Sequence, residues 1–281
     1  MVRIVAVGDN VVDCYPAQDR MFPGGNCLNV SVFARRFEAA AGYIGAIGRD
    51  AAGEAIQGAL AAEGVVVDRL RVLDGPTAYC IIGHRDGDRV FLKFDLGVSM
   101  FEPEEADFAA IRAFDAAHVG QSSGLDGHLE RIASEIRLSF DFSTRRDVGY
   151  RRSLAPLTFL ASFSAGDLER DDAVALVRQT LSDGAEWCLA TRGENGAVLG
   201  RKREIFEVAA SPVQVVDTLG AGDTFISRTL VGLLQEDNPR LILEAAALAA
   251  AETCTRVGAI GHAAPMAVDT GPVPAIANVS R

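Results

Sequence analysis

One glycine-rich segment constrains the fold of this chain more than any other part of the sequence. Residues 217–223 have the sequence DTLGAGD, and they separate an apolar run at 213–216 from a long helical pattern at 221–234. The apolar run has the pattern of the end of a buried strand, and the later residues place apolar side chains at helical spacing. The segment therefore predicts a strand, a tight turn and a helix N-terminus, in that order.

The chemistry that suits this segment is phosphoryl transfer to a hydroxyl group. Gly220 and Gly222 carry no Cβ atom, so the backbone N–H groups around Ala221 can approach an anion at the start of the helix. A carboxylate among these amides would repel a phosphate unless it has a task of its own. Asp223 has one if it takes the proton from a hydroxyl while the amides hold the arriving phosphoryl group. The alternative is an ordinary turn in which Asp223 is only a charge at the helix N-terminus.

A second glycine-rich entry to a helix lies near the beginning of the chain. Gly24 and Gly25 precede Asn26 and Asn29, and apolar residues follow at helical spacing over residues 30–37. Amide side chains both donate and accept hydrogen bonds, so Asn26 and Asn29 suit the recognition of hydroxyl groups. This segment is therefore a candidate for binding a hydroxyl-bearing substrate.

Carboxylates also follow the first predicted strand, residues 2–7. Asp9 comes directly after the strand and Asp13 shortly after it. In a parallel α/β sheet, ligands gather beyond the carboxyl ends of the strands, so both side chains are well placed to meet one. The alternative for Asp9 and Asp13 is a solvated acidic turn.

The remainder of the chain alternates short apolar strands with helical patterns, interrupted by one β-rich stretch. Strands are predicted at 42–48, 116–120, 138–142, 157–162 and 188–191. Helices are predicted after residues 49–53 to about 62, and at about 103–112, 125–136, 168–181 and 241–254. Residues 77–84 and 90–96 are β-rich and are joined by RDGDR, a strong hairpin signal. The pattern predicts an α/β domain that carries a small additional β-sheet.

Composition excludes several classes of function. The net charge of −11 argues against nucleic acid or an anionic membrane as a partner, because both bind basic surfaces. No apolar run approaches the roughly 20 residues of a membrane span, and the start of the chain is typical of a strand rather than of a signal peptide. The five cysteines are scattered without a Cys-x-x-Cys pair, which favours reduced thiols in the cytoplasm over disulfides or a zinc site. The 281 residues can form one domain.

The DTLGAGD segment resembles the second signature of the PfkB, or ribokinase-like, carbohydrate kinases, and GGNCLN at 24–29 resembles the first. The resemblance covers about residues 2–260. It implies a ribokinase-like three-layer sandwich in one domain of residues 1–260, with a mostly parallel central sheet flanked by helices and a small β-sheet lid from about 11–22 and 77–98. It also implies a small sugar as acceptor, ATP and Mg2+, and leaves room for a monovalent cation such as K+. Residues 261–281, rich in Pro, Ala and Gly, would form a peripheral or flexible tail.

The same resemblance assigns roles to individual residues. It makes Asp223 the base and makes Gly220, Ala221 and Gly222 the anion hole. The residues that it implies for the acceptor sugar are Asp9, Asp13, Gly24, Gly25, Asn26 and Asn29. The residues that it implies for the nucleotide are Thr191, Gly193 and Gly196 of a Thr-x-Gly-x-x-Gly turn, together with Asp217, Thr218 and Gly258.

Two departures from the family pattern concern the phosphate end of the site. Where some relatives have Asp-x-Asn-x-Arg, this chain has Asp141, Ser143 and Arg145. Arg145 is a candidate to clamp an acidic group, and the alternative is a surface arginine that caps a strand. The Asn-x-x-Glu motif that helps to organise magnesium in many relatives is absent, with Asp167 or Glu169 as substitutes. No residue is therefore assigned to a metal.

Within the family, residues 8–13, 24–26 and 88–91 look most like the kinases of fructosamines, which are amino acids carrying a deoxyfructosyl group. This resemblance implies phosphorylation of the 6-hydroxyl. Discrimination from plain fructose then needs a cation for the amino-acid carboxylate, with Arg89 on the hairpin as first candidate and Arg145 as second. Kinases of fructose, ribose or 2-keto-3-deoxygluconate are the alternatives within the family.

Two other classes of protein are alternatives to a kinase. A dinucleotide-binding oxidoreductase would need Gly-x-Gly-x-x-Gly directly after the first strand, where this chain has GDNV. A non-catalytic sugar-binding relative is opposed by Asp223 and the intact Gly-Ala-Gly segment, but the missing Asn-x-x-Glu motif keeps it as an alternative. The alternating apolar residues of the 77–96 hairpin also predict a homodimer through the lid, because an exposed edge of this kind is usually covered by a partner.

Overall fold

The structure is a computed structural model that describes residues 1–85 and 88–269, and the side chains at 84, 85 and 88–91 lie outside that description. Its strands are β1 (Arg3–Val7), β2 (Val11–Tyr15), β3 (Arg20–Gly24), β4 (Ala40–Gly48), β5 (Val66–Leu73), β6 (Tyr79–Arg85), β7 (Asp88–Asp95), β8 (Ala116–Gly120), β9 (Arg137–Asp141), β10 (Thr158–Ser164), β11 (Trp187–Thr191), β12 (Ala197–Arg201), β13 (Glu204–Val208) and β14 (Ala264–Pro265). Its α-helices are α1 (Asn26–Arg36), α2 (Ala51–Ala62), α3 (Glu105–Ile111), α4 (Leu129–Glu135), α5 (Val148–Leu154), α6 (Arg170–Ser182), α7 (Ala221–Leu234) and α8 (Pro239–Thr253).

Nine strands form one sheet in the order β13-β12-β11-β10-β9-β8-β1-β4-β5. The strands from β11 to β5 are parallel, and β12 and β13 extend the sheet with antiparallel pairs. The parallel strands inside the sheet are almost wholly buried, because helices cover both faces, whereas the edge strand β5 is partly exposed. Neighbouring strands β1, β8, β9 and β10 therefore bring their carboxyl ends to one edge, where the polar residues that follow them can meet.

Two helical layers enclose this sheet. On one face, Phe108 of α3, Leu129 of α4 and Val177 of α6 pack with Phe140 and other side chains of the sheet. On the opposite face, α1, α7 and α8 pack against β1, β10 and β11. The expected three-layer sandwich with a mostly parallel sheet is confirmed.

The small sheet has the order β14-β3-β2-β6-β7. β2 and β3 come from residues 11–24 and β6 and β7 form an antiparallel hairpin, so the two segments expected to build the lid do share a sheet. β14 pairs with β3, which attaches part of the C-terminal segment to the lid; residues 270–281 of that segment lie outside the described residues. None of the helices in the described part of the chain is both long and apolar enough to cross a membrane.

One local prediction is wrong. Residues 213–216 do not form the end of a buried strand, and Val213, Val215 and Val216 are exposed in an irregular segment. Val213 and Val215 instead line a cavity, which explains an apolar run outside the core. No element was predicted at β5, α5, β12 or β13. Polar or partly exposed positions break the simple patterns of β5, α5 and β13, whereas β12 is a short buried strand that contains Gly200.

Candidate active site

The carboxylate of Asp223 lies at the start of α7 and is held by two amide side chains from α1. Asn26 donates from Nδ2 to Asp223 Oδ1 at 2.8 Å, and Asn29 donates from Nδ2 to Asp223 Oδ2 at 2.7 Å. Both oxygens of the carboxylate are thus fixed by one turn of a helix that begins after Gly25. The two glycine-rich helix starts, which lie almost 200 residues apart in the sequence, meet at this carboxylate.

A second carboxylate, Asp141, shares the amide of Asn26. Asn26 Nδ2 donates to Asp141 Oδ2 at 3.0 Å, while Ser143 N and Ser162 Oγ donate to Asp141 Oδ1. Because one nitrogen bonds both carboxylates, their nearer oxygens lie within about 6 Å of each other, where like charges disfavour double ionisation. Burial, reinforced by the nearby Asp223 charge, raises the pKa of Asp141 to about 7.

The third contact of Asn26 is with a buried histidine on β8. Asn26 Oδ1 lies 3.0 Å from His118 Nε2, and His118 Nδ1 lies 2.9 Å from Ser139 Oγ on β9. Burial lowers the pKa of His118 to about 3, so the ring is neutral near pH 7.

Asp9, which follows β1, binds the start of α1. Its Oδ2 accepts a hydrogen bond from the backbone N–H of Asn26 at 2.9 Å, and Ser123 Oγ donates to its Oδ1 at 2.8 Å. A carboxylate at this place satisfies a helix N–H group that has no partner inside the helix. In this structure Asp9 therefore orients α1, and through α1 it orients Asn26 and Asn29.

A group of hydrogen-bond acceptors surrounds Gly24. A Cβ atom on Gly24 would lie 2.4 Å from Asp13 Oδ2 and 3.9 Å from Asn29 Oδ1, so the absence of a side chain lets the Asp13 carboxylate occupy that space. Asn29 Oδ1 is buried and has no hydrogen-bond partner among the described residues. Gly25, with φ of 104°, brings its backbone against Asn10, where a side chain would not fit. The segment 24–29 thus places acceptor oxygens beside Asp223.

The first turn of α7 supplies backbone N–H groups on the other side of Asp223. Gly220 adopts φ of 78° at the N-cap, and a Cβ atom there would lie 2.5 Å from Ala259 Cβ. A Cβ atom on Gly222 would meet no atom within 4 Å, so open space lies over this turn. Exposed N–H groups and the positive end of the helix dipole favour an anion in that space.

A cavity of about 650 Å³ opens next to this turn. Its size is within the range of small-molecule sites. Its wall carries Thr191, Gly193, Gly196, Thr218, Ala221 and Gly222 on the polar side, and Val215, Phe225, Ala247, Ala250, Ala251 and Cys254 on the apolar side. An apolar slot that ends at an anion-binding helix start suits a nucleoside polyphosphate.

Asp217 and Gly258, both expected at the nucleotide, are not among the residues that line the cavity, and they are hydrogen-bonded to each other. Asp217 Oδ2 accepts from Gly258 N at 3.1 Å and from the hydroxyl of Tyr15 at 2.6 Å, and Asp217 Oδ1 accepts from Leu219 N at 3.0 Å. Tyr15 is buried on β2 of the small sheet. These contacts connect the lid to the DTLGAGD turn.

Arginines and acids expected near the phosphate are engaged elsewhere. Arg145 Nε donates to Asp147 at 3.0 Å and its guanidinium lies 3.4 Å from the centre of the Tyr150 ring. Asp167 forms an ion pair with Arg146, and Glu169 lies at the N-cap of α6. The side chain of Arg89 falls outside the described residues, so its predicted role stays a prediction.

Sequence reasoning missed several residues of this network. Asp141 could have been found, because it lies at the carboxyl end of a predicted strand, two strands along the sheet from the one that precedes Asp9. His118, Ser123 and Ser139 carry no such signal, since each is a single polar residue in or after an apolar strand. Tyr15 was missed because its partner, Asp217, is distant in the sequence.

Comparison with known proteins identifies the family. A family model described as pfkB family carbohydrate kinase matches residues 1–155 and 157–265. The chain belongs to the pfkB family of carbohydrate kinases. Its similarity to members of the family extends over nearly all of the described structure.

Individual pfkB relatives have more specific names. The chain is 34% identical to the fructosamine kinase of Bacillus subtilis over 275 residues, covering 96% of this chain and 97% of the relative. It is 32% identical to the fructoselysine 6-kinase of Escherichia coli over 239 residues, covering 83% and 89%. Among solved structures, the ribokinase of Arabidopsis thaliana complexed with ribose and ATP has a TM-score of 0.81 at 21% identity, covering 92% of this chain and 95% of that one. A putative ribokinase II of E. coli in complex with ATP and Mg2+ has a TM-score of 0.79 at 20% identity, with 92% and 95% covered.

Proposed function

We propose that this carbohydrate kinase transfers the γ-phosphate of ATP to the 6-hydroxyl of a fructosamine such as fructoselysine. The observation that carries the proposal is the position of Asp223, held by Asn26 and Asn29 on the acceptor side and followed on the other side by the open cavity. A base with this placement faces a hydroxyl and a phosphoryl donor at once. The names of the fructosamine and fructoselysine kinases among its relatives support the choice of acceptor.

In the proposed reaction, Asp223 orients the 6-hydroxyl and takes its proton as the oxygen attacks the γ-phosphorus. The hydrogen bonds from Asn26 and Asn29 hold the carboxylate in one orientation, so little reorganisation is needed at the moment of transfer. The bond from the γ-phosphorus to the bridging oxygen of ATP breaks, and ADP leaves with that oxygen. The N–H groups of the Gly220–Gly222 turn stabilise the negative charge on the transferring group.

Magnesium fits this site as a partner of the nucleotide. Within residues 1–85 and 88–269, no group of three or more His, Cys, Asp and Glu side chains could hold a metal ion. Mg2+ commonly keeps several waters and binds through substrate phosphates, and the hydroxyls of Ser164, Thr191 and Thr218 on the cavity wall would hold its water shell. When bound, it would neutralise charge on the phosphate oxygens.

The acceptor hydroxyls would contact the oxygens around Gly24. Sugar hydroxyls are donors, and the Asp13 carboxylate and the buried Asn29 Oδ1 are acceptors.

ADP release measured against a panel of fructose, ribose, 2-keto-3-deoxygluconate, fructosyl-lysine and other fructosyl amino acids tests the acceptor class. We expect the highest kcat/KM for a fructosyl amino acid, with phosphate on carbon 6 by NMR of the product. Good activity on a simple sugar and none on fructosyl amino acids would refute the proposed acceptor class, while the assignment to the kinase family would stand.

The carboxylate of the acceptor amino acid is assigned to Arg89, with Arg145 as the comparison. Loss of a charge-assisted contact costs about 1.5–3 kcal/mol, or roughly 10- to 150-fold in kcat/KM. Arg89→Ala should show this loss on fructosyl amino acids and a much smaller one on fructose. Arg145→Ala should change both substrates little, because Arg145 is already paired with Asp147 and Tyr150. Equal losses from Arg89→Ala on both substrates would mean that Arg89 supports the lid instead.

A homodimer through the lid and activation by K+ complete the proposal. β7 is an edge strand of the small sheet, and Phe94 on it is 69% exposed. An apolar edge of this kind is commonly covered by a second copy. Light scattering should detect a dimer, and a monomer at every concentration would refute the proposed homodimer.

The proposed activation by K+ rests on family resemblance alone. Equal rates in KCl and NaCl at constant ionic strength would refute it.

A further inference from the structure

We propose that His118 and Asn26 are positioning residues for the base: the His118 ring fixes the direction of the Asn26 amide, and that amide holds Asp223 and Asp141 in place. The inference rests on the proposed role of Asp223 as the general base. It also changes the expectation for Asn26, whose hydrogen bonds are used inside the protein instead of on the sugar.

The contacts of Asn26 have a defined direction. An amide nitrogen has two hydrogens, and Nδ2 lies 2.8 Å from Asp223 Oδ1 and 3.0 Å from Asp141 Oδ2. A flipped amide would instead place its oxygen against two carboxylate oxygens, which is repulsive. The orientation is therefore determined by the two acids on one side and by whatever meets Oδ1 on the other.

His118 meets Oδ1 as a donor. Asn26 Oδ1 can only accept, so His118 Nε2, at 3.0 Å, carries the hydrogen. The other ring nitrogen, Nδ1, then has no hydrogen and accepts from Ser139 Oγ at 2.9 Å. Complete burial keeps the ring neutral, which fixes this tautomer through the pH range in which kinases work.

The surroundings hold Asn26 at its backbone as well. Asp9 accepts from Asn26 N at 2.9 Å. Gly120, at the end of the same strand as His118, leaves room for the amide, because a Cβ atom there would lie 2.3 Å from Asn26 Oδ1. Neither hydrogen of the Asn26 amide remains for a sugar, so direct contact with acceptor hydroxyls is assigned to Asn29 and Asp13.

The kinetic test compares two substitutions of His118. His118→Leu fills much of the space and removes the donor, while His118→Gln keeps a donor on a side chain of similar reach. A small displacement of a catalytic group costs roughly 10- to 100-fold, so His118→Leu should lower kcat by about that factor with the KM for ATP unchanged. His118→Gln should recover most of the loss.

Thermal unfolding and ATP binding show whether each variant is folded. If His118→Leu is not folded, Ser139→Ala provides a milder change that should lower kcat in the same way. A folded His118→Leu variant with wild-type kcat, or a His118→Gln variant as impaired as the leucine, would overturn the proposal.

A second readout does not depend on turnover. Nitrogen NMR of 15N-histidine-labelled protein distinguishes the two neutral tautomers and the cation. The chain has four histidines, and the signal absent from His118→Leu belongs to His118. We expect a neutral ring with hydrogen on Nε2 from pH 5 to 9, with the partly exposed His128 and His262 as comparison signals. A cation or an Nδ1–H tautomer would refute the His118–Asn26 contact. A protein that phosphorylates no acceptor would refute the proposed function instead, and the tautomer would still be measured.

Discussion

On the proposed acceptor side of Asp223 the chain has a network of paired polar groups, whereas on the proposed nucleotide side it leaves a cavity of about 650 Å³. Asp9, Asn26, Asn29, His118 and Asp141 form hydrogen bonds across α1, α7 and three neighbouring strands. The wall of the cavity consists mainly of glycine backbone, a few hydroxyls and apolar side chains, with the carboxylate of Glu194 among them. In the proposed mechanism, this difference means that the chain pre-organises the base and the reacting hydroxyl, and offers the phosphoryl donor mainly space and N–H groups.

Among changes that leave Asp223 in place, the largest effect should come from closing that space. Gly222→Ala adds a Cβ atom that meets no protein atom within 4 Å, so the helix should tolerate it. Gly58→Ala on α2 is the matched control, since its Cβ atom also meets nothing. Neither substitution should lower the Tm, because alanine favours helix over glycine by about 0.5–1 kcal/mol. Only Gly222→Ala should lose turnover, by about 10²-fold or more if the phosphoryl group packs against this turn. Equal kcat values for the two variants would contradict the nucleotide half of the comparison.

A smaller effect should come from breaking the contact between the lid and the DTLGAGD turn. Tyr15 on the lid donates to Asp217 at 2.6 Å, and Asp217 also holds Leu219 N just before the anion-binding turn. Tyr15→Phe removes only the hydroxyl and should lower kcat about tenfold, which corresponds to roughly 1.4 kcal/mol of transition-state stabilisation. Tyr79→Phe on β6 of the same sheet is the control and should change kcat little. If Tyr15→Phe keeps wild-type kcat, the lid and the DTLGAGD turn act independently.

The smallest effect is a change in how stability depends on pH. The folded-state pKa of Asp141, raised to about 7, means that the folded protein holds this proton more tightly than the unfolded chain. Its contribution to stability is fully present below about pH 4 and is lost as the pH rises through 7. Asp141→Asn should remove this loss, so the free energy of unfolding should fall less between pH 5 and 8 than in wild type. The readout is the slope with pH, not the stability at one pH.

Asp167 provides a control of opposite sign. Its hydrogen bond with Arg146 lowers the pKa of Asp167 to about 2, so its contribution is present above about pH 4 and is lost as the pH falls towards 2. Asp167→Asn should therefore leave the slope between pH 5 and 8 unchanged. A slope that Asp141→Asn does not alter would show that Asp141 is ionised across this range.

The fold followed from the sequence wherever periodicity was strong. The helix predicted at 221–234 and the strand predicted at 116–120 have the bounds of α7 and β8, because their apolar spacing is unbroken and glycine marks an end. The prediction of a strand at 213–216 was wrong because an apolar run that lines a cavity has the same composition as a buried strand. Composition alone does not distinguish these two kinds of apolar surface.

The site was predictable only in part. Asp223 and the glycines around it were predicted because the backbone geometry of an anion-binding turn needs glycine at fixed positions, and the structure places them at the start of α7. The use of Asn26 inside the protein was not found, since an amide beside two glycines suits a ligand and a carboxylate equally well. His118 could not be assigned either, because its partners Asn26 and Ser139 come from other elements and meet it only in the folded chain.

The central claim, that Asp223 is the base between a pre-organised acceptor side and an open nucleotide side, is tested most directly by separating binding from turnover in Asp223→Asn. The substitution removes the base and keeps the N–H groups of the turn. Loss of a general base costs about 10²–10⁴ in kcat, and more if the new amide displaces the hydroxyl. We therefore predict a fall of at least this size in kcat with the dissociation constant for ATP, measured by calorimetry, nearly unchanged. A variant that keeps half of the wild-type kcat would contradict the account.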